Sequence, residues 1–479
     1  MRQRFLYLFL GTWLFYLAFL PPGIYSIDGN SMLSVADSLV THGNVTVPNG
    51  LGIPGRGGFI YSSWYPLQSV FAVPVVAAAI QASSVLHVPV HYAESFAVTL
   101  LPALYTALTV PLVYEISMLL GSTWSGAWLA ALTYGFGTMA LVYTRDFYAD
   151  PLLALLVALG IVLAFMRNTP WIIIAVTALA VLAKPTGIIL GPILSVYSLW
   201  KTRHFWVSVL PGLGSAIGLA VYFLYNFFRF GNILTFGQRW EFSIGFVPRG
   251  VAGLLVSPGE GLLWFCPCVV LSVVALGQIK VRRMEAWTIV ALAASSVLLH
   301  SMWRGWNGGW SWGPRLLLPV LPGLVALTGV LSNRWRKVLA ALAIVGFLLT
   351  VPNLISFFSR YYAEATEQGF SEADLLWRPI KSPLLNAWPA AYRQIEDARR
   401  TDVLQLLTQR TEKPASSIST SRSLRVVGIW WWVLPVLHIP RIWGILLSSL
   451  LALSGIWFLQ SARNKISGVP APNCVSTAS

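Results

Sequence analysis

Residues 171–200 read WIIIAVTALAVLAKPTGIILGPILSVYSLW, a run whose single charge, Lys184, lies near the middle. About 20 apolar residues cross the hydrocarbon core as a helix, so this run holds either one over-long span or two short ones. The choice sets the sidedness of every later loop. Basic clusters recur at Lys201-Thr202-Arg203-His204, Lys280-Val281-Arg282-Arg283, Arg334-Trp335-Arg336-Lys337 and Arg463-Asn464-Lys465, and Arg2 and Arg4 precede the first apolar run. One long helix would put the Lys201 and Lys280 clusters outside, against the cytoplasmic preference of basic loops. Two short helices turning at Lys184-Pro185-Thr186-Gly187 keep both inside, and the proline and glycine favour the break. Lys184 is then expected at the outer face.

Composition agrees with a membrane protein: 56% of residues are hydrophobic and 10% charged. The net charge of +15 sits largely in short loops beside apolar runs, which is a topological signal and not a polyanion site. The 22 tryptophans suit rings that belt both interfaces. Three cysteines give no disulfide framework, since Cys266 and Cys268 lie in an apolar run and Cys474 in the tail. The run at 5–20 follows two arginines as a signal peptide would, but it ends in Pro21-Pro22-Gly23 without a small-residue cleavage site. It is read as a retained first helix with a cytoplasmic N-terminus.

Outward from the 171–200 run, further spans are predicted at 96–119, 127–143, 152–166, 205–225, 262–276, 287–300, 316–331, 338–357 and 442–459. The apolar stretch at 67–85 is placed as an interfacial or re-entrant segment, because a span there would put every later basic loop outside. The fold class expected is an all-α polytopic membrane protein of about twelve transmembrane helices, both termini cytoplasmic, with amphipathic helices in the first outer loop. The domains expected are a transmembrane module at 1–357 (first outer loop 22–95), an extracytoplasmic cap at 358–425, an interfacial segment and last span at 426–465, and a disordered cytoplasmic tail at 466–479. No internal repeat is visible, which counts against a carrier built from repeated halves.

Of 17 acidic residues, eight fall in the 359–425 segment. Asp28, Asp37, Glu94, Asp146, Asp150, Glu241 and Glu260 all map to the outer side, and no acid sits at the middle of a span, where a proton or ion relay would want one. Asp28 precedes an amphipathic stretch in which Met32, Val35, Ala36, Leu39 and Val40 recur at helical spacing, with Gly43 as a stop. Two readings stand: Asp28 caps that helix, or it does chemistry just above the headgroups. Asp37 reads as a solvated face residue. In Arg145-Asp146-Phe147-Tyr148-Ala149-Asp150, a local ion pair with Asp150 as a cap stands beside a functional role. Arg145, Lys184, Arg229, Arg239, Arg304 and Arg315 fall on the outer side, where few cations are expected. Snorkelling explains some of them, whereas convergence on phosphate would need several. Lys184 and Arg315 stand out because Gly/Pro-flanked turns fix their direction. His300 and His42 read as structural or interfacial, and no spacing resembles a zinc site.

Ser26-Ile27-Asp28-Gly29 followed by residues 35–44 resembles the acid, short helix and glycine that open the first outer loop in polyprenyl-phosphate-dependent glycosyltransferases of the GT-C membrane fold. The branch is that of protein O-mannosyltransferases and lipid A aminoarabinose transferases. Tyr61-Ser62-Ser63-Trp64-Tyr65-Pro66-Leu67, Leu182-Ala183-Lys184-Pro185-Thr186-Gly187, Arg229-Phe230-Gly231-Asn232, Ser257-Pro258-Gly259-Glu260-Gly261-Leu262 and Gly308-Gly309-Trp310-Ser311-Trp312-Gly313-Pro314-Arg315 are similar to further segments of that family, in order over residues 1 to about 330. The resemblance implies a plasma-membrane enzyme with an extracytoplasmic site that moves a sugar from a polyprenyl-phosphate donor to an acceptor hydroxyl with inversion. It implies Asp28 as general base, and Asp146, Asp150, Lys184, Arg145, Arg304, Arg315 and Tyr65 as substrate-binding residues. The implied partners are a lipid-linked sugar, membrane lipids and an acceptor glycan, lipid or protein, without nucleic acid. The chain departs from the family where Gly29 follows Asp28 in place of a second acid, so no metal site is assigned and a divalent ion is left open. It departs again where Trp64-Tyr65-Pro66 replaces a lysine before the proline. The alternative reading is a transporter or flippase of a lipid-linked saccharide.

Overall fold

The computed structural model describes residues 2–166, 170–237, 241–402 and 426–467. Arg167, Arg239, the 403–425 part of the expected cap and the tail from 468, Cys474 included, lie outside the described residues. The chain is an all-α polytopic membrane protein, with one two-stranded antiparallel sheet, Ile53–Pro54 against Ile60–Tyr61, in the first loop.

The chain opens with α1 (Arg2–Ala18), α2 (Ile27–Thr41), α3 (Pro66–Leu86), α4 (Val90–Ala97), α5 (Leu100–Leu119), α6 (Trp124–Phe136), α7 (Asp150–Met166), α8 (Pro170–Ala183) and α9 (Leu190–Thr202). Later long helices are Leu210–Phe230, Arg283–Ser301, Asn333–Thr350, Pro383–Arg400 and Arg441–Ser467. Among the described residues, six helices are long and apolar enough to cross a membrane, seven if α6 and the 3-10 turn Met139–Arg145, bent by 49°, make one span. Five further apolar helices have 10–17 residues. The expected count of about twelve is thus not reached by full-length helices. Local breakers account for the shortness: Lys184-Pro185 ends α8, and Pro267 and Pro319 sit in 3-10 turns of the 262–278 and 315–330 segments.

The run at 171–200 folds as two short helices, as its central turn predicts. The Lys184 backbone N–H still donates to Ala180 O at 3.2 Å, and Gly187 N–H then closes on Lys184 O at 2.8 Å, so the chain reverses around the lysine. The 67–85 stretch forms the unbroken 21-residue α3, long and apolar enough to span, packed on α2 and α4. The described part of the expected cap, 358–402, consists of three short helical segments and the Pro383–Arg400 helix.

Lipid offers no hydrophobic drive for helices to associate, so close backbone approach through small residues must serve instead. The Leu210–Phe230 helix shows this against α8: a Cβ at Gly218 would sit 2.5 Å from Ala178 O, and one at Gly214 2.3 Å from Ile174 O. The first and last helices meet in the same way, Gly11 against Gly455. The main core cluster gathers α5, α6, α7 and the 315–330 segment, and holds the helix ends that carry the polar residues described next.

Candidate active site

Four helix termini converge on one set of charges. Asp28 lies in the first turn of α2, and Asp150 opens α7. Lys184 links α8 to α9, and Arg315 begins the 3-10 turn Arg315–Val320. Ser26, not Asp28, is the N-cap of α2, its hydroxyl accepting from Gly29 N–H at 3.0 Å. The capping reading of Asp28 is corrected by this arrangement: with Ser26 serving the helix, the Asp28 carboxylate is directed elsewhere. Its Oδ2 accepts from Arg315 Nη1 at 2.8 Å. Arg315 Nη2 donates to Gly308 O at 2.9 Å, and the guanidinium lies 4.4 Å from the Tyr148 ring centre. Arg315 Nε is 3.9 Å from Asp150 Oδ2 and has no hydrogen-bond partner among the described residues. Lys184 Nζ donates to Asp150 Oδ1 at 2.7 Å.

Asp28, Lys184 and Arg315 all line a cavity of about 490 Å³, whose wall also includes Trp64, Tyr65, Thr186, Phe242, His300, Trp303 and Asn307. Gly308 and Gly309, at φ of 71° and 77°, let the backbone turn past Arg315 and present a carbonyl to it. Tyr65, the N-cap position of α3, is buried in the wall, and burial holds its phenol well above the ordinary tyrosine range.

Asp146 lies behind Asp28 and not on the cavity wall. Phe147 N–H donates to its Oδ1 at 2.7 Å, and Oδ2 has no partner among the described residues. Burial pushes its carboxyl up to about 7, against the bonds from Phe147 and Ser26 that favour the ionised form. Gly29 makes this juxtaposition possible: a Cβ there would stand 3.1 Å from Asp146 Oδ1 and 2.9 Å from Ser26 Oγ. The missing side chain at position 29 therefore admits an acid from another loop. Among the described residues no group of three or more His, Cys, Asp or Glu could hold a metal ion.

Two residues expected at the site lie apart from it. Arg145 is fully buried, donating from Nε to Phe19 O at 3.0 Å, from Nη1 to Ser356 O at 3.2 Å and from Nη2 to Gly428 O. It ties together three distant segments through backbone carbonyls and does not line the cavity. Arg304 is exposed and pairs with Glu241 at 2.7 Å, although its neighbours Trp303 and Gly305 reach the cavity. Arg229 is likewise buried, donating to Ser62 O, Trp64 O and Asn226 Oδ1. His300, read from sequence as structural or interfacial, is in the cavity wall. No sequence signal separates it from a packed helix-end histidine.

Glu260, in the Ser257–Leu262 segment, is buried under the cap. Ser311 Oγ donates to it at 3.3 Å, and burial holds its carboxyl well above the usual range. Around it the cap docks: Gly259 N–H donates to Leu376 O at 3.1 Å, Ser382 Oγ to Pro258 O at 2.7 Å, and Tyr362 OH to Ser311 O at 2.9 Å. The Trp-rich loop leading to Arg315 is thus clamped from above.

No family model matches the sequence, and no curated protein matches it. Among solved structures, the chain is similar to ArnT from Cupriavidus metallidurans in the apo state, with TM-score 0.47 and 18% identity over 93% of this chain and 75% of that one. It is similar to the same protein bound to undecaprenyl phosphate, at 0.47 and 17% over 96% and 77%. It is also similar to the archaeal oligosaccharyltransferase AglB from Archaeoglobus fulgidus in complex with an inhibitory peptide and a dolichol-phosphate, at 0.44 and 11% over 88% of this chain and 59% of that one.

Proposed function

We propose that this chain is an integral-membrane glycosyltransferase that moves a sugar from a polyprenyl-phosphate donor to an acceptor hydroxyl on the extracytoplasmic side, with inversion. The observation that carries the reading is the meeting of Asp28, Lys184 and Arg315 on one cavity of about 490 Å³, from positions far apart in sequence. The order of motifs quoted above supports the same chemistry.

In the reaction, Asp28 takes the proton of the acceptor hydroxyl. The oxygen forms a bond to the anomeric carbon, and the carbon–oxygen bond to phosphate breaks with its electron pair leaving on the polyprenyl phosphate. A carboxylate suits the first step, and fixed cations suit the charge that grows on the leaving group. Arg315 Nη1 donates to Asp28 Oδ2 at 2.8 Å. A phosphate offers the guanidinium a second, bidentate partner and competes for it, which frees the carboxylate to act as base. Lys184 stays anchored by Asp150 and supplies a point charge. Docking of the lipid phosphate and arming of the base are then one event.

The test is to incubate membranes containing the protein with a panel of labelled polyprenyl-phosphate sugars and acceptors. Sugar transfer with equimolar release of free polyprenyl phosphate is expected. Movement of intact lipid-linked sugar across the bilayer without release would sink the transferase reading in favour of a flippase.

A further inference from the structure

The cap helix Pro383–Arg400 divides lengthwise into three sectors at about 3.6 residues per turn. One sector holds Pro383, Ala387, Ala390, Ala391, Gln394 and Ala398, all buried. These mostly small side chains let the helix lie close on its support. A second sector carries Asn386, Arg393, Asp397 and Arg400. There Arg393 Nη2 meets Glu364 Oε2 at 2.5 Å, and Asp397 Oδ2 meets Arg360 Nη2 at 2.7 Å. The third sector carries Leu385, Trp388 and Tyr392, which are 61%, 50% and 63% exposed. Arg399 closes it in the last turn, with a side chain long enough to keep its charge in a polar layer. Ile380, just before the helix, is 85% exposed. A helix with water along both flanks has no use for an aromatic one. A charged flank opposed to an aromatic flank is the pattern of a helix lying at the boundary of water and lipid.

Both ends of this helix are tied to the ends of apolar segments. At its start, Ser382 Oγ donates to Pro258 O at 2.7 Å, just before the segment that opens at Leu262 and exposes Leu263 and Trp264. Near its end, Gln394 Nε2 donates to Val426 O at 2.7 Å, and Phe357 N–H donates to Gln394 Oε1 at 3.4 Å. Phe357 lies just past 333–355, one of the stretches long and apolar enough to cross a membrane. Ile395 and Ala398 pack with Val427, Ile429 and Trp430. The turn Trp430–Leu437 then leads into the last helix, where Ile442 and Trp443 are exposed in their turn. An 18-residue helix held at both ends by the ends of membrane segments runs along the bilayer surface and not away from it. Tryptophan and tyrosine are the side chains enriched at that level.

We propose that the flank formed by Leu385, Trp388 and Tyr392 beds in the headgroup–acyl boundary of the bilayer on the cavity's side, making the cap a surface anchor. Lipid is the occupant because the patch continues, at both ends of the helix, into apolar side chains exposed on the membrane segments themselves. The same cap holds the Trp-rich loop that leads to Arg315, through Tyr362 on Ser311 O. Anchorage would fix the height of that loop above the membrane. The proposal goes beyond the transferase reading and stands if that reading fails.

The experiment uses the full-length protein carrying Cys474→Ser, in nanodiscs of phosphatidylcholine and phosphatidylglycerol. Cys266 and Cys268 are buried and stay unlabelled. An environment-sensitive dye is attached at Tyr392→Cys and, in a second variant, at Arg400→Cys on the charged flank. Lipid with a nitroxide near the top of its acyl chain should quench the dye at 392 at least about twofold more than the dye at 400, with the reverse order for aqueous iodide. Should the Tyr392 variant fail to fold, Leu385→Cys gives the same comparison. Equal access of iodide to both positions overturns the proposal, since the flank would then face water. Shielding of position 392 from both quenchers overturns it too, and would mean that protein, a second copy or a partner, covers the flank.

Discussion

Two buried carboxylates sit at opposite ends of the same pair of helices and do different things. At one end, Glu285 in the first turn of Arg283–Ser301 accepts from Lys201 at 3.0 Å, Arg282 at 3.3 Å and Tyr197 at 3.3 Å, joining that helix to the end of α9. At the other end, just before α9, Lys184 and Asp150 pair beside Arg315, whose Nε is left unmet, and a cavity opens in front of them. The first group has its charge answered within the protein, by cations that are half in solvent. The second keeps cations buried with bonding capacity unspent. Burial of charge is common to both; an open cavity beside the charges is what separates a site from a fastening.

Four substitutions test that separation. Asp28→Asn is expected to lower the rate of sugar transfer about 10²–10⁴-fold, the range for a general base, while the protein still inserts and elutes as wild type. A variant within a few fold of wild type would remove Asp28 as the base. Arg315→Lys keeps the charge but cannot bridge Asp28, Gly308 and a phosphate together, so a loss on the order of tenfold or more in kcat/KM and weaker lipid-phosphate binding are expected. Unchanged binding would show that phosphate sits elsewhere. Glu285→Gln should leave kcat/KM alone and lower thermal stability, by about 1–3 kcal/mol for a buried group that loses charged partners. If activity fell more than stability, the two ends would not be separable. Arg304→Gln, at an exposed pair, should change activity by no more than about twofold.

Asp146 sharpens the comparison through pH. Its carboxyl is held neutral by burial up to about 7, above its value in an unfolded chain. The native state therefore binds the proton more tightly than the unfolded one. The stability this proton contributes is complete below the unfolded carboxyl range and is lost as pH rises through about 7. Asp146→Asn, which cannot ionise, should thus gain thermal stability relative to wild type at pH 8 and show little or no gain at pH 4, as followed by unfolding in detergent. An equal difference at both pH values would mean that the carboxyl does not titrate there.

The turn at Lys184 was legible because a charge, a proline and a glycine interrupt an otherwise apolar run, and each disfavours a continuous membrane helix for its own reason. Asp28 was legible as an acid on the sparsely charged side. Its use was not, since Ser26 and Asp28 both suit a helix start and only the structure shows which serves it. The Asp28–Arg315 pair joins positions that no local pattern links. Arg145 and Arg304 share residue type and expected side with Arg315, which only its Gly/Pro-flanked turn set apart. What distinguishes them is where their donors go, to carbonyls of three distant segments in one case and to solvent-facing Glu241 in the other. His300 escaped notice because its place in the cavity wall is a property of the fold and not of its neighbours in sequence.

The pairing of the first helix with the last also bears on how the molecule is made. Synthesis runs from the N-terminus, so α1 enters the membrane long before Arg441–Ser467 is translated. Until then Gly11 lacks the backbone of Gly455 that its missing side chain admits. Every charge of the cavity is already in place by Arg315, yet the helix that should hold Asp28's connecting segment steady lacks its partner. The contact at Gly11 therefore forms only after every charge that lines the cavity has been translated.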